Sequence, residues 1–238
     1  MSIAEIKRIN VLTLLLVGAL GLLTVPMLSS CSKQSNATPA GLNTRLNIIN
    51  ISPDIYPINL WVGLRRYNST KFYYYSVPSE YFYMNTQETP LQLRTQANRT
   101  FWSRNEALAR SCTYTLFVTG LVADKTDTCF LVADTASAPA RGRGKVRFIN
   151  ACARTVSLDV YANGTAAFRN RGFKTISDYI EIPAGIYKFN INLANSSTVY
   201  KEVANTTIQD GRLYTIYTQG VVGRTDSAAF NANVIINR

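Results

Sequence analysis

Three short strings occur twice in this chain, in the same order. Leu46-Asn47-Ile48-Ile49-Asn50 returns as Val146-Arg147-Phe148-Ile149-Asn150. Ile58-Asn59-Leu60-Trp61-Val62 is matched by Val156-Ser157-Leu158-Asp159-Val160, and Tyr114-Thr115-Leu116-Phe117-Val118-Thr119-Gly120 by Tyr214-Thr215-Ile216-Tyr217-Thr218-Gln219-Gly220. The offsets are 100, 98 and 100 residues. Single matches between β-prone strings are common, but three in one order at nearly one spacing argue for a duplicated unit. The units are expected at 44–136 and 144–238. Residues 137–143, small and Pro/Gly-containing, are expected to join them as a hinge or exposed linker.

Each unit reads as β structure. Val146 and Phe148 flank Arg147, Leu158 and Val160 flank Asp159, and Tyr187, Phe189, Ile191 and Leu193 alternate with Lys188, Asn190 and Asn192. A period of two marks strands with one buried and one wet face. Asn163-Gly164, Pro183-Ala184-Gly185 and Asp210-Gly211 supply turns. Seven or so short strands per unit predict two tandem antiparallel β-sandwiches, an all-β chain in which paired sheets hide apolar faces without helices. Ser103 and Glu106 have capping-box spacing, but the stretch to Arg110 is short, so a loop or brief helical turn is expected there.

The N-terminus is set apart. Lys7 and Arg8 precede an apolar run from Val11 to Met27, followed by Leu28-Ser29-Ser30-Cys31. Basic start, apolar middle and small residues before the junction fit a secretory leader over 1–30. The Leu-Ser-Ser-Cys order resembles a bacterial lipobox, which implies acylation of Cys31 and cleavage before it. Acyl chains give a stable membrane anchor. Residues 31–43, polar with Pro39, read as a flexible tether. The expected location is therefore lipid-anchored at the outer membrane, facing either the periplasm or the outside.

The second unit also resembles a known family. Its run Val146-Arg147-Phe148-Ile149-Asn150-Ala151, then Leu158-Asp159-Val160-Tyr161-Ala162-Asn163-Gly164, then Tyr179-Ile180-Glu181-Ile182-Pro183-Ala184-Gly185-Ile186-Tyr187, is similar to the domain of unknown function numbered 4397, found in secreted and lipid-anchored proteins of Bacteroidota. The first unit shares the opening motif, Ile48-Ile49-Asn50-Ile51-Ser52-Pro53-Asp54, but lacks the Pro-Ala-Gly turn. The resemblance implies an immunoglobulin-like sandwich and carries over no catalytic residues.

The chain contains no histidine, which excludes imidazole as base, metal ligand or pH switch. Beyond Cys31 there are Cys112, Cys129 and Cys152. An exported compartment permits disulfides; a Cys112–Cys129 bridge is the first candidate, with other pairings and three free thiols as alternatives. No cofactor and no metal site are expected, since the cysteine spacings lack a paired-ligand motif. Seven of the twelve residues from Phe72 to Tyr83 are aromatic. An extended Tyr73-Tyr74-Tyr75 run points rings to both faces, so Tyr73, Tyr74, Tyr75, Tyr81 and Tyr83 are candidates either for a structural seam or for stacking on a ligand. Thr135 and Ser227, after Asp134 and Asp226, resemble sites that carry O-glycans in Bacteroidota.

The formal charge is +11, with arginine and lysine clustered at 141–147, at 169–174 and at Arg65-Arg66. Such charge either attracts acidic partners or is simply solvated. No nucleic-acid-binding motif accompanies it, and no nucleic-acid partner is expected. The expected role is a non-enzymatic envelope lipoprotein in adhesion, assembly or capture of an extracellular ligand, its partners a membrane through acyl chains and a glycan or envelope protein. The alternative is an accessory glycan-binding lipoprotein beside an outer-membrane uptake system.

Overall fold

A computed structural model of the chain describes residues 42–55, 57–68 and 71–237. The expected leader, Cys31 and most of the tether lie outside the described residues. What is described forms one compact unit of sixteen strands, with no helix among the described residues.

The first eight strands are β1 (Asn43–Asn50), β2 (Ile58–Val62), β3 (Arg65–Arg66), β4 (Phe82–Asn85), β5 (Leu91–Thr95), β6 (Thr100–Arg104), β7 (Thr113–Thr119) and β8 (Thr128–Ala133). They make two sheets, β4-β1-β7-β8 and β3-β2-β5-β6. The next eight are β9 (Arg143–Ile149), β10 (Leu158–Ala162), β11 (Thr165–Arg171), β12 (Ile180–Pro183), β13 (Gly185–Leu193), β14 (Val199–Ile208), β15 (Leu213–Gln219) and β16 (Asn231–Ile236). Their sheets are β12-β9-β15-β16 and β11-β10-β13-β14, the same strand order repeated. Pairing is antiparallel as expected except for one parallel pair per unit, β1 with β7 and β9 with β15.

The duplication extends to side-chain bonds. Ser79 Oγ accepts from the Ile48 N–H at 2.8 Å, and Ser177 Oγ accepts from the Phe148 N–H at 2.8 Å. Tyr114 Oη accepts from the Ala109 N–H, and Tyr214 Oη from the Gln209 N–H. The second string needs correction by two residues: β2 opens at Ile58 and β10 at Leu158, so Trp61 corresponds to Tyr161. Where the second unit turns directly from β12 to β13 at Pro183-Ala184-Gly185, the first has a longer connection between Asn85 and Leu91.

Each unit has a core between its two sheets. Leu46, Ile48, Leu116 and Val118 meet Ile58, Leu60, Leu91 and Leu93 in the first. Val146, Phe148, Tyr214 and Ile216 meet Leu158, Val160, Phe189 and Ile191 in the second. A further core lies between the units: Ile49, Ile51, Phe117 and Val132 pack on Ile149, Ala151 and Tyr217. The outer faces of β1-β7 and β9-β15 are therefore not wet, and β15 is buried along its whole length. A strand covered on both faces is the expected consequence of stacking a third layer on a sandwich.

This overturns the expected solvent face at Arg147. Its side chain is 4% exposed and ion-paired to Asp134, which is fully buried. Arg147 Nε donates to Thr215 Oγ1 at 2.9 Å and Nη1 to the Ala133 carbonyl at 2.8 Å. Asp134 also accepts from Thr115 Oγ1 at 2.7 Å and Tyr81 Oη at 2.8 Å. Burial pushes its carboxyl up, against the pull of the guanidinium and the two hydroxyls. Asn237, the counterpart of Asp134, donates to Tyr81 Oη and accepts from Thr215 Oγ1. Asp159, also read as wet, is buried and accepts the Asn170 N–H at 2.7 Å.

The expected hinge is likewise tied down. Lys145 Nζ donates to the Ser137 carbonyl at 3.0 Å and to Ser137 Oγ at 2.7 Å, and the Arg143 N–H donates to the Ala140 carbonyl. Strand β9 already begins at Arg143.

Candidate functional site

The duplicated topology brings equivalent loops together at one end of the molecule. These are the segments after β1 and β7 in the first unit and after β9 and β15 in the second. Gly120 and Gly220 end β7 and β15 with φ near +84° and +81°. A Cβ at either would lie 2.1 or 2.2 Å from a backbone oxygen, of Thr126 and Ala229, so only glycine fits there. Just beyond them Leu121, Ala153 and Val221 form a small apolar floor.

Above this floor lies a cleft of about 260 Å³, lined among others by Asp54, Tyr75, Arg154, Arg224 and Ser227. Its charges come from equivalent positions of the two units. The first unit supplies Asp54 and Asp124; the second supplies Arg154 and Arg224 at the same places. Arg154 Nε donates to Asp124 Oδ2 at 2.5 Å, a bridge from one unit to the other. Arg224 Nε donates to Asp226 Oδ1 at 3.0 Å. Asp54 accepts the N–H groups of Val122 and Ala123, each at 3.0 Å, and bonds Ser52 Oγ at 3.1 Å. The side-chain hydrogen bonds from Arg154 and Arg224 hold the carboxyls of Asp124 and Asp226 below the usual range. The Tyr75 hydroxyl is buried without a hydrogen-bond partner among the described residues. A second, mainly apolar cavity of about 570 Å³ shares Asp54 with it and is lined also by Ile55, Thr95, Arg99 and Val122.

The tyrosine run does not form one platform. Tyr73 packs against the first core, and burial drives its phenol strongly upward. Tyr81 sits in the seam between the units, bonded to Asp134, so its reading as a surface ring for a ligand is withdrawn. Tyr75 reaches the cleft. Only Tyr74 and Tyr83, 52% and 67% exposed, present rings to solvent, and they lie on separate elements. Both expected O-glycan acceptors, Thr135 and Ser227, are exposed, although Thr135 Oγ1 already accepts the Thr113 N–H.

The Cys112–Cys129 bridge is not formed; Cys112, Cys129 and Cys152 are free. The hairpin register explains why. Cys129 lies opposite Val118, whereas Cys112 precedes β7. Six residues of strand separate Cys112 from Val118, roughly 20 Å, and a disulfide needs Cα atoms within about 7 Å. Sequence separation alone gave no sign of this. Cys152 takes the place of Ser52: the thiol donates to the Gly220 carbonyl at 3.1 Å as the hydroxyl donates to that of Gly120 at 2.8 Å. The cleft residues escaped the sequence reading because Asp54, Asp124, Arg154 and Arg224 sit in loops between the repeated strings. Their shared offset of 100 was the available signal.

That recurring architecture is where the chain meets known proteins. Residues 144–235 match DUF4397, a domain of unknown function. The match begins within β9 and ends within β16, spanning nearly all of the second sandwich. No curated protein matches the chain. Among solved structures, a leucine-rich repeat protein from Bacteroides thetaiotaomicron aligns over 79% of this chain at 9% identity, with a TM-score of 0.15. The chain spans about a quarter (26%) of that protein's length, and the likeness carries no argument.

Proposed function

We propose that this is a non-enzymatic, lipid-anchored envelope protein that captures an extracellular ligand at the loop-end cleft. The observation that carries the reading is the course of β1. The chain enters it at Asn43 and leaves it at Asn50, beside the cleft loops, so a tether ending at Asn43 holds the opposite end of the sandwich. Eight strand residues separate the two ends by roughly 25 Å. The polar groups of the cleft support binding rather than proton transfer. Asp54 is occupied by backbone N–H groups, and each arginine is engaged with a carboxylate. The Tyr75 hydroxyl is left to meet an incoming acceptor.

Two measurements test the proposal separately. Metabolic labelling with an alkyne fatty acid should tag the protein, and Cys31→Ala should lose both the tag and membrane retention. A panel of extracellular saccharides and peptides, screened by thermal shift, should contain a compound that raises the melting temperature. Tyr75→Phe and Arg224→Ala should then reduce that shift. An unlabelled wild-type protein removes the anchor; a stabilising compound indifferent to both substitutions removes the cleft.

A further inference from the structure

We propose that the outer face of the β3-β2-β5-β6 sheet is a second binding surface, for an acidic polysaccharide. Register places Arg66 opposite Trp61, Trp61 opposite Gln92, and Gln92 opposite Ser103, one row across all four strands. Neighbouring strands lie about 4.8 Å apart, so the row is roughly 15 Å long. Leu60, Leu93 and Trp102 occupy the next row and face the core, which leaves the Arg66–Ser103 row outward.

The four strands carry four arginines and no carboxylate. Arg104 pairs with Glu106, but Arg65, Arg66 and Arg94 make no ion pair among the described residues. Arg94 lies 4.1 Å from the Trp61 ring centre and Arg66 4.8 Å from that of Phe72. Arg94 donates only to neutral acceptors, Gln92 Oε1 at 2.6 Å and Asn98 Oδ1 at 3.2 Å. Guanidinium groups held over rings, with their charge unneutralised, suit carboxylate or sulfate groups along a chain. The amide and hydroxyl of Gln92 and Ser103 suit the intervening sugar hydroxyls.

The duplication supplies an internal comparison. The equivalent sheet of the second unit also sets an arginine over an aromatic ring, Arg169 at 5.7 Å from Tyr161. There, however, Asp159 and Glu202 lie in the strands, and Lys188 pairs with Glu202 at 3.1 Å. Asn192 stands where the first unit has Arg94. The second sheet therefore sets two carboxylates among its basic residues, whereas the first carries none. Covered rings disfavour stacking by nucleobases, so a saccharide is the better fit.

The test uses the full chain with polygalacturonate as probe, against dextran, a single-stranded DNA of matched charge and anionic phosphatidylglycerol vesicles. Polygalacturonate should bind at low salt, weaken as salt rises, and exceed the other three. Arg66→Gln with Arg94→Asn should weaken it at least about tenfold, the loss of two charge-assisted contacts. Arg66→Lys with Arg94→Lys should keep only part of it, since an ammonium keeps the charge but not the planar fork, and Arg169→Gln should leave it unchanged. Absence of polygalacturonate binding, equal binding of DNA or vesicles, or an undiminished Gln/Asn variant overturns the proposal. Because the surface shares no residue with the charged cleft, Arg224→Ala should bind polygalacturonate as the unsubstituted protein does.

Discussion

Replacing Asp134 by alanine should be the most damaging single change of charge in this protein. Asp134 neutralises Arg147 between the two sandwiches, where neither side chain reaches water. Its removal leaves a guanidinium with the Thr215 hydroxyl, the Ala133 carbonyl and the Tyr179 ring but no counter-ion, and strips an acceptor from Tyr81 and Thr115. Breaking a buried pair from one side costs about 3–5 kcal/mol. For a chain of this size that lowers the melting temperature by about 6–20 °C. Arg147→Met should cost less, because the orphaned Asp134 keeps both hydroxyl donors and can take a proton. Asp134→Leu with Arg147→Met should recover most of the loss, since a packed apolar pair avoids the desolvation that the ions bear. Urea unfolding followed by tryptophan fluorescence and far-ultraviolet circular dichroism measures these variants, and adding Asp134→Leu alone closes the cycle that yields a coupling energy. Both tryptophans, Trp61 and Trp102, belong to the first unit, so fluorescence reports that unit while dichroism reports both. A loss below about 1 kcal/mol for Asp134→Ala, or a double variant as weak as the sum of the singles, would show that water reaches the pair and that the seam is not dry.

Other outcomes follow from the same geometry. Unfolding should be one transition by both probes, and Phe117→Ala, which empties the shared core, should cost about 3–5 kcal/mol and pull the two curves apart. Thiol titration should find Cys112, Cys129 and Cys152 all free after denaturation; in the folded protein Cys152, its thiol pushed up by burial to about 12, should resist iodoacetamide. Cys152→Ser should shift stability by no more than about 1 kcal/mol by thermal melting, because Ser52 already makes the equivalent bond. Stability should hold below pH 10 and fall as pH rises from 10 toward 12: burial raises the phenols of Tyr73, Tyr75, Tyr81, Tyr179 and Tyr217, the last to about 12, so the unfolded chain loses protons first. Urea midpoints measured across that range check the sign.

The duplication was legible because it lives in local strings. Alternating residues made the strands readable, and turn residues such as Asn163-Gly164 placed their ends. The third core was not legible, for a physical reason. Period-two alternation reports that two faces differ, not what covers the more polar one. Arg147 read as part of a wet face, yet with Thr115 and Thr215 it lines a seam where each polar atom meets one from the other unit or its own sheet. The disulfide failed similarly: a spacing of seventeen positions between two cysteines says nothing about register, and register puts them at opposite ends of a hairpin.

Duplication also bears on how the cleft is charged. Two copies of one sandwich, stacked through equivalent sheets, bring the loop after β7 of the first against the loop after β9 of the second. At two such positions the first unit carries Asp54 and Asp124 and the second Arg154 and Arg224, and the Arg154–Asp124 bridge spans the join. The seam shows the same division, with Asn47 where the second unit has Arg147 and Asn237 where the first has Asp134. Reversing one cleft pair, Asp124→Arg with Arg154→Asp, should therefore be tolerated, whereas Arg154→Asp alone should place two carboxylates together and loosen the loop end. Hydrogen exchange at the 120–127 and 151–157 loops distinguishes the two, and equal protection in both variants would mean that complementarity across the join plays no part in holding those loops.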